Sequence, residues 1–191
     1  LVHALGMMPG LGAGLFAHRL HAHARRLCED GILPADLLAS MDQHGFDLTQ
    51  GSGAFFSFQA LLIDPARETA LFAGAGHPPA LIRSPGSGDA IVRMESQGAL
   101  LGCFGRPMKD AVQVRIDLPA GSRIAMYTDG ITETFDGDRN ALNVDGLERL
   151  FAAENLRSDA RTIADGIMDG VNAFRAGAPT DDYTLMVLET R

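Results

Sequence analysis

Period-two alternation runs through the middle of this chain and limits what it can become. Val112, Val114, Ile116 and Leu118 alternate with Gln113, Arg115 and Asp117, which predicts a strand with one face buried and the other wet. Upstream, Phe56, Phe58, Ala60 and Leu62 alternate with Phe55, Ser57, Gln59 and Leu61 over residues 54–63. Asp64-Pro65-Ala66-Arg67 then turns the chain into a return strand at 69–73. After a break at 74–79, short apolar runs at 80–83 and 91–94 form a second hairpin, and residues 123–127 form a buried strand behind the turn Pro119-Ala120-Gly121.

Helical periodicity flanks this block. Phe16, Leu20, Ala24 and Leu27 recur at helical spacing behind the glycine-rich Gly10-Leu11-Gly12-Ala13-Gly14. A second helix is predicted from Pro34 through Leu37, Leu38 and Met41, ending near Gly45. Beyond residue 140, Leu147, Leu150 and Phe151 mark a short helix. A longer one follows Ser158 as its N-cap, with Ile163, Ala164, Ile167, Val171 and Phe174 as its stripe. The chain closes on an apolar strand, Leu185-Met186-Val187-Leu188. Helices, then hairpins, then helices, then one last strand read as α+β with antiparallel sheets rather than alternating βαβ units.

With 191 residues the chain is expected to form a single domain with a core of its own, needing no disulfide staple. Cys28 and Cys103 stand alone, as in a reducing compartment. No apolar run reaches the length of a membrane span, so the expected setting is cytoplasmic, with no membrane partner. A formal net charge of -8 argues against a nucleic-acid surface. The opening on Leu1, already apolar and glycine-rich, reads as the C-terminal part of a longer chain.

Two acidic clusters adjoin buried strands. Tyr127-Thr128-Asp129-Gly130-Ile131-Thr132-Glu133 carries Asp129 and Gly130 at a strand exit, and Asp181 and Asp182 precede the last strand. Were the two strands neighbours, the carboxylates would converge, and oxygen ligation favours Mg²⁺ or Mn²⁺ over zinc. A solvated Asp-Gly turn is the alternative reading. His77, between Gly76 and two prolines, sits in a stiff turn, either as a functional imidazole or as a cap on backbone groups. His18 and His21 lie one helical turn apart with no further ligand beside them and read as a solvated face.

Together with Ala75-Gly76-His77-Pro78-Pro79 and Asp181-Asp182-Tyr183-Thr184, the Tyr127–Glu133 segment resembles the metal-dependent (PPM, protein phosphatase 2C-like) phosphatases. The branch is the bacterial one of stage II sporulation protein E and the sigma-factor regulators, and the segments occur in the family's order from about Gly10 onward. The resemblance implies two stacked antiparallel β-sheets flanked by helices, a two-metal centre of Mn²⁺ or Mg²⁺, and hydrolysis of phosphoserine or phosphothreonine. It makes Asp129 and Asp181 the catalytic metal-ligand aspartates, Asp182 a neighbour that orients the site, and Gly130 the point of close backbone approach. The implied substrate is a phosphorylated STAS-domain antagonist of an anti-sigma factor. An upstream sensory or receiver domain and a homodimer are also expected.

The chain departs from the family at its start. An early Gly-Asp strand segment is missing, and where the family has an acid and a histidine ahead of the first helix this chain has Met7-Met8-Pro9-Gly10-Leu11-Gly12. The N-terminal strands therefore read as missing and the metal centre as incomplete. That leaves an alternative function, a degenerate pseudophosphatase that binds a partner protein without catalysis.

Overall fold

The computed structural model describes residues 2–7, 11–49, 55–86, 90–103, 108, 111–179 and 181–191. Its two antiparallel sheets belong to two compact units, one formed by residues 1–77 and 95–117 and the other by residues 78–94 and 118–191.

The first unit holds β1 (Val2–Met7), α1 (Leu11–Glu29), α2 (Pro34–Thr49), β2 (Phe56–Asp64), β3 (Thr69–Ala75) and, further along the chain, β6 (Val114–Asp117). Its sheet runs in the order β1-β2-β3-β6. β1 was not legible as a strand, yet it pairs antiparallel with β2 from Val2↔Leu61 to Met7↔Phe56. The apolar stripe of α1 is as expected: Leu20 and Ala24 are fully buried, with Phe16 and Leu27 packed at the margin. They meet Leu37, Leu38 and Met41 of α2 over Phe56, Phe58 and Ala60 of β2.

Two glycines behave differently from their sequence reading. Gly45 does not stop α2, which continues to Thr49. A Cβ there would overlap Cε1 of Phe56, so Gly45 is the place where an aromatic ring presses on the helix. Gly74 does not end β3 either. It pairs with Gln59, and the strand ends one residue later, at Ala75, followed by Gly76, whose φ of +60° suits glycine.

The turn from β2 into β3 is a 3₁₀ turn at Pro65–Arg67. The Asp64 carboxylate accepts the Arg67 N–H at 3.2 Å, and Glu68 closes the turn in the left-handed region at φ 50°. Asp42 of α2, itself buried, accepts backbone N–H groups from Gly102 at 2.7 Å and Met108 at 3.0 Å. One carboxylate thereby satisfies two backbone N–H groups of this connection.

The second unit holds β4 (Ala80–Arg83), β5 (Ile91–Met94), β7 (Arg123–Tyr127), α3 (Asp129–Thr132), α4 (Asn143–Ala153), α5 (Ala160–Phe174) and β8 (Leu185–Glu189), with its sheet ordered β5-β4-β7-β8. Ile163, Ile167 and Val171 of α5 are fully buried with Leu147 and Phe151 of α4 and with Leu81, Ala125 and Tyr127 of the sheet. The cap of α5 is Asp159, one residue beyond the expected Ser158, and its carboxylate accepts the Thr162 N–H at 2.7 Å. The carboxylate serves where the preceding hydroxyl was expected to. The closing strand, read as fully buried, is half-buried along its length because it lies at the sheet edge.

Candidate metal centre

The neighbour relation on which the aspartates depend is present. β7 and β8 pair antiparallel from Arg123↔Glu189 to Tyr127↔Leu185, so the chain leaving β7 and the chain entering β8 come out at the same end of the sheet. One backbone bond continues the ladder, from Thr128 N–H to Thr184 O at 3.1 Å. The Thr128 hydroxyl adds two contacts, receiving the Thr184 N–H at 3.1 Å and donating to Asp182 O at 3.3 Å.

Asp129 does not sit in an open turn. It opens the single-turn helix α3, and its backbone O accepts the Glu133 N–H at 2.8 Å and the Thr132 hydroxyl at 3.0 Å. Its carboxylate is exposed, with Oδ1 taking the Gly130 N–H at 3.1 Å. Asp181 has the same local arrangement, with Oδ1 accepting the Asp182 N–H at 2.7 Å, and Asp181 and Asp182 are both exposed.

Gly130 is buried where the two segments meet. A Cβ at this position would lie 2.5 Å from Asp182 O and 3.3 Å from Asp181 Cβ. Only the missing side chain allows the two acidic segments to approach to backbone contact. This cradle and the oxygen-only donor set suit a hard divalent cation. The fit is to a partial site. Among the described residues no three His, Cys, Asp or Glu side chains gather into a metal-holding group, and no acidic residue occurs in the chain before Glu29. Two carboxylates with water completing the shell match what is present, and a full two-ion centre does not.

His77 lies in the first unit and is buried. Its Nδ1 is 2.8 Å from Ser57 Oγ, its N–H donates to Ser96 Oγ at 3.0 Å, and the Ser96 hydroxyl donates back to His77 O at 2.7 Å. Of its two sequence readings, these bonds match the turn anchor. His18 and His21 are exposed on α1. Missed by sequence reasoning were Thr128, Thr134 and Tyr183, whose hydroxyls lace the two acidic segments together. Only the fold reveals them, because their partners lie 49 to 56 residues away.

The two antiparallel sheets with flanking helices are those of the PP2C-type phosphatase domains. Similar structures include the SiaA PP2C domain of Pseudomonas aeruginosa, with a TM-score of 0.84 and 16% identity over 98% of this chain and 74% of that one. A Bacillus subtilis SpoIIE structure, holding the PP2C phosphatase domain and a fragment of the regulatory domain, gives a TM-score of 0.77 and 21% identity over 98% of this chain and 54% of that one. RsbX in complex with magnesium gives 0.61 and 16% over 97% and 85%. A search of curated proteins gives no match. The family model for stage II sporulation protein E (SpoIIE) matches residues 7–191, and the chain belongs to that family.

Proposed function

We propose that this chain is a divalent-metal-dependent phosphatase acting on phosphoserine or phosphothreonine in a protein, with a phosphorylated STAS-type antagonist of an anti-sigma factor as its substrate. The observation that carries the reading is the backbone contact at Gly130, which sets Asp129 beside Asp181 and Asp182. Family membership supports the reaction class, and the magnesium in the RsbX structure supports the choice of ion. A bound Mg²⁺ or Mn²⁺ supplies an acidified water and neutralises phosphoryl charge. Asp129 and Asp181 each offer the carboxylate oxygen that their local turn leaves outside its hydrogen bond. Asp182 contributes chiefly through its backbone O, which receives the Thr128 hydroxyl and seats against Gly130.

A second reading, partner binding without hydrolysis, is favoured by one observation: the chain has no acid before Glu29 and no three-carboxylate group among its described residues. Calorimetric titration of Mn²⁺ into wild type and Asp129→Asn, with p-nitrophenyl phosphate hydrolysis measured in parallel, separates the two. The phosphatase reading expects Mn²⁺ heat and hydrolysis in wild type and about tenfold or greater loss of affinity in the variant. Equal heats in both proteins would sink the metal assignment. Mn²⁺ binding without hydrolysis would move the protein to the second reading.

A further inference from the structure

The β7–β8 register ends at Tyr127↔Leu185, and one further backbone bond, Thr128 N–H to Thr184 O, brings the pairing to just short of the acidic residues. What holds the Asp129 turn beyond that point is weak by itself. α3 has only four residues, and its N-cap Thr128 makes no side-chain cap bond, its hydroxyl being used on Asp182 and Thr184 instead. A single helical turn gains little from its own hydrogen bonds. It has to be held from outside.

The outside hold is a chain of two hydroxyls. Thr134 Oγ1, almost fully buried, lies 3.1 Å from Gly130 O and 2.7 Å from the Tyr183 hydroxyl. A carbonyl can only accept, so the single Thr134 proton goes to Gly130 O, and the Tyr183 proton makes the 2.7 Å contact. Tyr183 O–H to Thr134 O–H to Gly130 O is then one directed relay. It closes a ring, because residue 182 lies next to Tyr183 and its backbone O faces the bare Cα of Gly130. Thr134 is fixed in turn by the Leu142 N–H, which donates to Thr134 O at 2.8 Å. Tyr183 is anchored by packing against the core of the second unit.

We propose that Thr134 and Tyr183 are positioning residues that clamp the Asp129 turn onto the Asp181–Asp182 segment and so fix the relative placement of the two candidate ligand carboxylates. The proposal rests on the metal reading given above, and its test separates the two. Mn²⁺ is titrated calorimetrically into the full chain as wild type, Tyr183→Phe, Thr134→Val, the double variant and Thr134→Ser. Melting temperature and amide exchange are measured on each.

Tyr183→Phe and Thr134→Val should each weaken Mn²⁺ binding by about tenfold, a size typical of residues that orient metal ligands. The double variant should be no weaker than the worse single one, since both changes break the same relay. Thr134→Ser keeps the hydroxyl and should bind within about twofold of wild type. Wild-type affinity in folded Tyr183→Phe, with only its melting temperature lowered, overturns the positioning role. If wild type takes up no Mn²⁺, the metal reading fails and the clamp is judged by exchange alone. Faster exchange at Glu133 and Thr184 in Tyr183→Phe supports it, and unchanged exchange overturns it.

Discussion

At the residue scale, Gly130 is the one described glycine whose added Cβ would come within 3.0 Å of a backbone atom. Its hypothetical Cβ meets a backbone oxygen, Asp182 O at 2.5 Å, and not the end of a flexible side chain, so relief requires one of the two acidic segments to move. Gly130→Ala is expected to cost about 1–3 kcal/mol, the range for forcing extra volume into a packed site, and to weaken Mn²⁺ binding alongside. Chemical denaturation and the same titration measure the two effects. Gly45 has a comparable clash, with Phe56, but there the neighbour is a ring that can turn. The family resemblance marks Gly130 as a point of close backbone approach, while the sequence reads Gly45 only as a helix end; what each missing Cβ makes room for comes from a remote part of the chain.

At the element scale, α1 and α2 meet through an imidazole pair whose chemistry depends on pH. The rings of His23 and His44 stack at 4.0 Å and 15°, and His23 Nε2 lies 2.9 Å from Ser40 Oγ. Burial, the His44 charge and Arg26 lower the His23 pKa, in that order. Burial and Arg19 lower that of His44, with Arg26 adding to them and Asp47 opposing. A base with a depressed folded pKa binds fewer protons folded than unfolded. Its stabilising contribution is therefore full above the unfolded value near 6.5 and is lost as pH falls from there through the folded value. Thermal melts should show stability falling below about pH 6.5. His44→Gln should flatten that acid limb, and an unchanged limb would remove the pair as its cause. The helices themselves were legible because their apolar stripes repeat at 3.6 residues. The His23–His44 contact was not, since no periodicity in one helix says which residue of the next will face it.

At the scale of the whole molecule, each unit carries its own core, and every candidate ligand lies in the second unit. Phe151 is fully buried there among Leu147, Ile163, Ile167 and Val171. Phe151→Ala should destabilise the protein by about 3–5 kcal/mol, read by denaturant titration, with the slowest-exchanging amides of α4, α5 and β7 losing protection. Apart from β1 and the single-turn α3, the element types, most of their bounds, the antiparallel α+β class and the acidic residues at two strand ends were legible in the sequence, because periodicity and turn chemistry are local. The sequence did not show β1, whose mostly apolar run has no alternation and becomes a strand by pairing with β2. The hairpin of Ala80–Arg83 with Ile91–Met94 was legible, but not that β4 leaves the sheet of β3 and pairs on its other side with β7. Tertiary structure alone decided that Asp129 and Asp181 share one end of one sheet. The cause is the β7–β8 ladder, joining residues more than fifty positions apart, and a pairing at that distance is fixed by burial in a common core rather than by any local pattern.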